Sequence, residues 1–186
     1  MKDIKFARKY LKAHPKHGQE TFFIEKIWSN DDALSPPYIK PVSTSILEKE
    51  FDNYTKNTYH PKGHTIRKGN RWKAGDLFDA TVWTADPYHS KVITFAKDIK
   101  VVKTHSFEIK DNFIYVDKEK IGGMNKMEDK VFGDYYYLYG ASNIELIAKN
   151  DGLELQDFLD WFKFPEPFDG QIIVWREDID YSNSFI

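Results

Sequence analysis

The chain has 186 residues, of which 41 % are apolar and 16 % aromatic, and its formal net charge is −2. This composition excludes a disordered chain and favours a globular, β-rich protein with a sizeable core. Cysteine is absent, which excludes disulfides, thiol nucleophiles and thiolate zinc sites. No stretch approaches the ~20 apolar residues of a membrane span, and the first residues lack a signal-peptide pattern. We therefore expect a cytoplasmic protein without a membrane partner.

The charges are distributed unevenly along the chain. Residues 59–76 carry five Lys or Arg residues and no acid before Asp76, whereas residues 151–186 carry nine acids and two bases. The overall balance is not that of a protein that coats nucleic acid through its phosphates. A locally basic binding region in an otherwise acidic protein instead predicts recognition of a small ligand or a few nucleotides.

The first third of the chain contains short predicted elements. Alternating residues predict a strand over 4–10, and apolar spacing predicts a short helix around 22–28. A second short helix is predicted for about 45–54, with its apolar side toward the core. Pro61 and Gly63 then keep the following basic stretch out of a helix.

The middle of the chain has the period of β structure. Apolar residues alternate within 77–116, and residues 117–120 are predicted to close a hairpin. The polar, glycine-containing segment 122–133 is predicted to be a loop. The run 135–139 is compatible with a strand or a helix.

The clearest helical pattern lies near the end, over 154–163, where apolar residues recur on one face. Asp151 and Glu154 before it resemble a capping box, and residues 171–175 predict a closing strand. No internal repeat or linker divides the chain. We predict a single α+β domain, a β-barrel or strongly curved sheet with flanking helices.

The basic stretch combines the groups that a pocket for a polar or anionic ligand uses. It contains a hydroxyl, two potential amine donors, two guanidinium groups and an indole: Thr65, Lys62, Lys73, Arg67, Arg71 and Trp72. Guanidinium groups bind phosphates and base edges bidentately, and aromatic planes stack on bases. The alternative is a solvated basic loop in which Trp72 anchors the core.

Two motifs resemble a known family. The segment Lys62-x-x-Thr65-Ile66-Arg67, followed by Arg71-Trp72-Lys73-x-Gly75-Asp76 before a strand, resembles the hallmark of ASCH domains, small β-barrels of the PUA-like superfamily. Asn150-Asp151-Gly152-Leu153 is similar to the family's acidic residue before its helix, and 168–175 to its final strand. The resemblance implies one PUA-like (ASCH) domain over 1–186. Segments at about 14–57 and 113–148 would be insertions, as in longer bacterial and phage members.

The resemblance implies a nucleic-acid function first. ASCH domains are proposed to bind RNA in the cleft of the barrel, so RNA or a small modified nucleotide or nucleoside is the expected ligand, with no cofactor. The corresponding ligand-binding residues would be His64, Arg67, Arg71 and Trp72. His64 would narrow the pocket beside Thr65.

The resemblance also implies an enzyme. Small bacterial members hydrolyse the amide of N4-acetylcytidine with a Lys, a Thr and a Glu. Carried over, Lys62 would be the base and Thr65 the nucleophile, and Asp151 stands at the position of the glutamate. Aspartate is one methylene shorter, and a misplacement of about an ångström can cost ~10²-fold in rate. The chain is thus a candidate amidohydrolase acting on acylated nucleosides.

Two further alternatives concern the histidines and the insertions. His60 and His64 are four residues apart, but Pro61 and Gly63 prevent the shared helical face that a metal site would need. No metal site is therefore predicted. The third function hypothesis is an interaction protein whose insertions carry the function and whose pocket is non-catalytic.

Overall fold

The structure is a computed structural model that describes residues 2–29, 59–85, 87–128, 135–182 and 184–185. The helix predicted for 45–54 lies outside these residues. The described residues form nine strands and three helices. In chain order they are β1 (Lys2–Phe6), α1 (Phe23–Trp28), β2 (His64–Lys68), β3 (Leu77–Trp83), β4 (Val92–Lys100), β5 (Lys103–Lys110), β6 (Phe113–Val116), β7 (Glu119–Met127), β8 (Tyr135–Tyr139), α2 (Ala141–Asn150), α3 (Leu155–Trp161) and β9 (Phe168–Val174).

The strands form two sheets. The smaller sheet has the order β1-β3-β4, and the larger one has the order β2-β9-β5-β6-β7-β8. Strand β1 runs parallel to β3, and the other pairs are antiparallel. The prediction of an α+β fold dominated by β-sheet is confirmed.

The prediction of a closed barrel is wrong for the described residues, in which the two sheets remain separate. Strands β4 and β5 are consecutive in sequence but belong to different sheets. The connection between them crosses from one sheet to the other, because Val101 N–H donates to Asp76 O and Val102 N–H donates to Val174 O, each at 2.8 Å. One curved sheet therefore does not contain all of the predicted strands.

Aromatic rings fill the space between the two sheets. Trp175, directly after β9, lies edge-on to Phe78 of β3 and to Phe6 of β1, with ring centroids 5.6 Å and 6.2 Å apart. On the other side of the larger sheet, Phe158 of α3 packs edge-on against Phe107 of β5 at 6.2 Å. Edge-to-face pairs of this kind add to the energy of area burial. The predicted apolar face of the last helix is confirmed.

The predicted hairpin around 117–120 is confirmed, with a tighter turn. Strand β6 ends at Val116 and β7 begins at Glu119, so two residues form the turn. Asp117 and Lys118 both have positive φ, 49° and 71°, which is typical of the turn that matches strand twist. The loop predicted for 122–133 is wrong in its first part, because β7 continues to Met127.

The sequence did not predict the next two elements, strand β8 and helix α2, correctly: the first was ambiguous and the second was missed. The run 135–139 is strand β8, paired with β7. Helix α2 was not predicted, although Ile144, Ile147 and Ala148 are its buried residues at helical spacing. None of the described helices has the length and apolar character needed to cross a membrane.

The capping-box prediction at the last helix is wrong. Glu154 is the N-cap of α3 and makes no side-chain capping bond. Asp151 is instead the C-cap of α2, where its backbone N–H donates to Ile147 O. The connection between α2 and α3 is so short that Asp151 belongs to the preceding helix, which leaves its carboxylate available for another contact.

Candidate functional site

The backbone around Lys62 is held between the ends of two helices. Lys62 N–H donates to Lys26 O in α1 at 2.9 Å, and Gly63 N–H donates to Asn150 O in α2 at 2.9 Å. A Cβ atom at Gly63 would lie 2.4 Å from Ile179 Cδ1, so glycine permits this close approach. The Lys62 side chain consequently enters the interior, and only 1 % of the residue is exposed.

Lys62 forms a buried ion pair with Asp151. Its Nζ lies 2.5 Å from Asp151 Oδ1 and also donates to the Asp151 main-chain oxygen. Burial lowers the pKa of Lys62 to about 8, and burial raises the pKa of Asp151, because each charged form is desolvated. Each partner opposes the shift of the other, while the positive charges of Arg67 and Lys26 further lower the pKa of Lys62.

Thr65 and His64 lie on opposite faces of β2, because successive strand residues alternate. Thr65 is buried and lines a cavity together with Lys62 and Asp151. Among the described residues no group forms a hydrogen bond with the Thr65 hydroxyl. This hydroxyl is therefore a candidate contact for a ligand.

Arg67, two residues further along β2, lines the same cavity. Its Nη2 donates to Lys5 O at 2.8 Å, and its Cζ lies 5.3 Å from the Phe6 ring centroid. Its Nε is shielded from solvent and has no hydrogen-bond partner in the described part of the chain. Burial lowers the pKa of Arg67, but a guanidinium remains protonated in proteins.

The cavity has a volume of about 250 Å³ and brings four of the seven predicted site residues together. Those four are Lys62, Thr65, Arg67 and Asp151. Its aromatic lining comes from separate parts of the chain: Phe6, Phe23, Trp83, Tyr88 and Trp161. Trp83 and Tyr88 lie at a ring-centroid distance of 5.4 Å, and Tyr88 is 85 % exposed. Polar groups and flat apolar walls thus meet in one concave site.

The other three predicted residues do not line the cavity. His64 is fully buried against α2, where its Nε2 donates to Ile147 O at 3.0 Å. Burial lowers the pKa of His64 well below its usual value, so the ring is neutral. Arg71 is exposed, and its Cζ lies 5.5 Å from the Trp72 ring centroid.

Trp72 packs in the core rather than at the cavity. Its ring lies edge-on to Phe78, with centroids 5.7 Å apart, and the residue is 2 % exposed. The buried Gln171 side chain holds its backbone, accepting from Trp72 N–H at 2.8 Å and donating to Trp72 O at 3.1 Å. The structure therefore places Trp72 as the core anchor that the alternative interpretation described.

Sequence reasoning missed the aromatic walls of the cavity. Trp83 ends β3, Tyr88 lies in the following connection, and Trp161 ends α3. These three residues form no motif in the sequence. The one signal that could have identified them is their position at or near the ends of predicted elements. Their convergence depends on how β1, β2 and the helices pack.

The wider comparisons add no relative. No family model matches the chain, and neither a curated protein nor a solved structure matches it at a significant level. Among the described residues, no three His, Asp or Glu side chains are grouped in a way that could hold a metal ion. The geometry of the cavity is therefore the basis for any functional conclusion.

Proposed function

We propose that the cavity binds a nucleoside or a single modified nucleotide, either free or within RNA. The observation that carries this proposal is the convergence of Lys62, Thr65, Arg67 and Asp151 on one aromatic-lined cavity. Its volume of about 250 Å³ is below the ~300–1,000 Å³ of drug-sized sites, which favours a small ligand. A base offers both a flat ring for the walls and polar edges for these four side chains.

The groups in the cavity divide into two chemical sets. The rings of Phe23, Trp83 and Trp161 would stack on or enclose the base. The Arg67 guanidinium group would donate to its carbonyl edge, and the Thr65 hydroxyl would bind its carbonyl or amine edge. The Lys62–Asp151 pair supplies a donor and an acceptor beside them.

We further propose that the chain is a PUA-like member of the ASCH type. The support is that the spaced residues Lys62, Thr65 and Arg67 meet Asp151, which comes from the second motif, in the same cavity. Two motifs 89 residues apart need not meet in an unrelated fold. In this proposal, His64 and Trp72 support the strand and loop that carry the cavity residues, and Arg71 lies outside the cavity.

Isothermal titration calorimetry with cytidine, N4-acetylcytidine and cytidine monophosphate tests the binding proposal. Arg67→Gln should weaken binding by about 10- to 100-fold, because a charge-assisted hydrogen bond contributes ~1.5–3 kcal/mol. Arg71→Gln is the matched control, since Arg71 is exposed and outside the cavity. Equal effects of both substitutions, or no heat with any of the three ligands, would contradict the proposal.

A second candidate is hydrolysis of an acyl amide on such a nucleoside. The observation that favours it is a buried lysine with a pKa lowered to about 8, in the same cavity as Thr65. A neutral Lys62 amine would accept the Thr65 proton as the hydroxyl oxygen attacks the acyl carbonyl. A protonated Asp151 would protonate the leaving amine, and water would then release the acyl group from Thr65.

Chromatography of N4-acetylcytidine incubated with the protein tests this second candidate. Thr65→Val keeps the shape of the side chain and removes the nucleophile, so it should abolish hydrolysis but retain most of the binding. Asp151→Glu should raise the rate if the shorter acid is misplaced. Binding without any hydrolysis would support a binding site and contradict the hydrolase. The absence of both binding and hydrolysis would favour the interaction-protein hypothesis.

A further inference from the structure

One side of the larger sheet carries a set of exposed and half-buried rings, which we call the aromatic face. Its rings come from β6 and β8: Phe113, Tyr115, Tyr135, Tyr137 and Tyr139. Residues paired across strands point to the same side of a sheet, and Gly123 of β7 pairs with both Phe113 and Tyr139. The rings of β6 and β8 therefore share one side.

The other side of β6 and of the first part of β7 is buried. Ile114 and Ile121 are almost fully inaccessible, and Gly122, which pairs with Ile114, lies against α2. A Cβ atom at Gly122 would lie 2.8 Å from Ile144 Cδ1 of that helix. The hydrophobic core thus covers that side of β6 and of the first part of β7, whereas Tyr137 and Tyr139 on the aromatic face are 41 % and 49 % exposed.

Lysines accompany the rings of the aromatic face. The Lys120 Nζ lies 3.9 Å from the Phe113 ring centroid, and the Lys110 Nζ lies 5.3 Å from that of Tyr115. Lysine side chains of the same chain therefore lie over the rings of Phe113 and Tyr115. The nearby Glu108 carboxylate is paired with Lys110 at 3.3 Å, which leaves Lys120 to supply positive charge.

The composition of the aromatic face favours a ligand that stacks. Within β6, β7 and β8, Met127 is the aliphatic residue on this side, and the remaining side chains are rings, Asn125 and Lys120. Asn125 Nδ2 donates to the Tyr137 hydroxyl at 3.3 Å, which holds that ring in place. The Phe113 ring packs against Gly123, where a Cβ atom would lie 2.5 Å from Phe113 Cδ1.

We propose that the aromatic face binds single-stranded nucleic acid, with bases stacked on Tyr137 and Tyr139 and phosphates contacted by Lys120. Stacking on exposed rings combined with nearby cations is how proteins bind single strands without reading their sequence. Exposed rings on a β-sheet stack two or three bases in the common RNA-recognition modules. The aromatic face shares no residue with the cavity, so this inference is independent of the nucleoside proposal.

Fluorescence anisotropy of a labelled oligouridine of about ten nucleotides, a length within the usual single-strand site size, tests the inference. Tyr137→Ala and Tyr139→Ala should each weaken binding about fivefold or more, because each removes a stacking surface. Tyr136→Ala is the matched control, since Tyr136 is on the same strand, 62 % exposed and directed to the opposite side. Tyr139→Phe should retain binding, and Lys120→Gln should reduce its salt dependence.

The other outcomes separate the alternatives. Equal affinity for oligothymidine and oligouridine would show that the aromatic face binds both DNA and RNA. Binding of oligouridine alone would show that it binds RNA only. No binding at low salt, or an effect of Tyr136→Ala equal to that of Tyr139→Ala, would overturn the inference. If Arg67→Gln abolished oligouridine binding and Tyr139→Ala did not, the oligonucleotide would bind at the cavity and not at the aromatic face. Self-association that Tyr139→Ala removes and oligouridine does not compete with would make the face a protein interface.

Discussion

The Nζ atom of Lys62 lies 2.5 Å from Oδ1 of Asp151, although 89 positions separate the two residues. Both side chains are almost completely shielded from solvent. A buried ion pair is costly to desolvate, so it persists only where the geometry is good and the remaining hydrogen-bonding groups are satisfied. Here the Asp151 main-chain oxygen provides a second acceptor for Lys62.

Breaking this pair should destabilise the fold strongly. Lys62→Met leaves the Asp151 carboxyl buried without its partner, for an expected loss of about 3–5 kcal/mol in the free energy of unfolding. The double variant Lys62→Met, Asp151→Asn should lose less than the sum of its single variants. Urea denaturation of the four proteins measures the coupling, and strictly additive losses would show that the pair is not coupled.

The pair also gives the stability a defined pH dependence. The folded pKa of Lys62, about 8, is below its ordinary value of 10.5, so the unfolded chain binds this proton more tightly. The free energy of unfolding should therefore gain a contribution from Lys62 as pH rises from about 8 toward 10.5. Denaturation of the wild type and Lys62→Met across this range measures it. A wild-type protein that loses stability relative to the variant would contradict the sign.

Gly170 of β9 is expected to position the cavity indirectly. A Cβ atom at Gly170 would lie 2.3 Å from the Arg67 main-chain oxygen, so Gly170→Ala must displace β2, which carries Thr65. We expect a loss of about 1–3 kcal/mol in stability together with weaker nucleoside binding. Asp169→Ala is the control, because Asp169 is the exposed neighbour of Gly170 on the same strand. Calorimetry measures the nucleoside affinity of both variants, and thermal unfolding measures their stability. Equal losses of affinity and stability in the two variants would exclude the steric explanation.

Two adjacent residues of the basic stretch should behave in opposite ways. Trp72→Ala removes a buried ring that contacts Phe78, and it should cost about 3–5 kcal/mol of stability. Arg71→Ala removes an exposed side chain and should stay within about 0.5 kcal/mol. Chemical denaturation of both measures this difference. A stable Trp72→Ala protein would remove the residue from the core.

The sequence by itself determined many of the local elements of the chain, although it missed α2 and left β8 open. Alternation predicted the strands between 77 and 116, and the apolar face of 154–163 predicted α3, because strand and helix periods are visible over a few residues. Pro61 and Gly63 excluded a helix before Lys62 for equally local reasons. The candidate residues Lys62, Thr65, Arg67 and Asp151 were identified from the sequence, through residue types and the family resemblance.

Only the tertiary structure decided which of the candidates meet. The strand period placed Thr65 and His64 on opposite faces of β2, but the packing of α2 and the smaller sheet decided which face lines a cavity. The crossing at Val101 and Val102 separated β4 from β5, and so decided that the strands form two sheets. The contact between Lys62 and Asp151 required Gly63 to approach the end of α2. Such contacts depend on the simultaneous packing of distant segments, which no local period encodes.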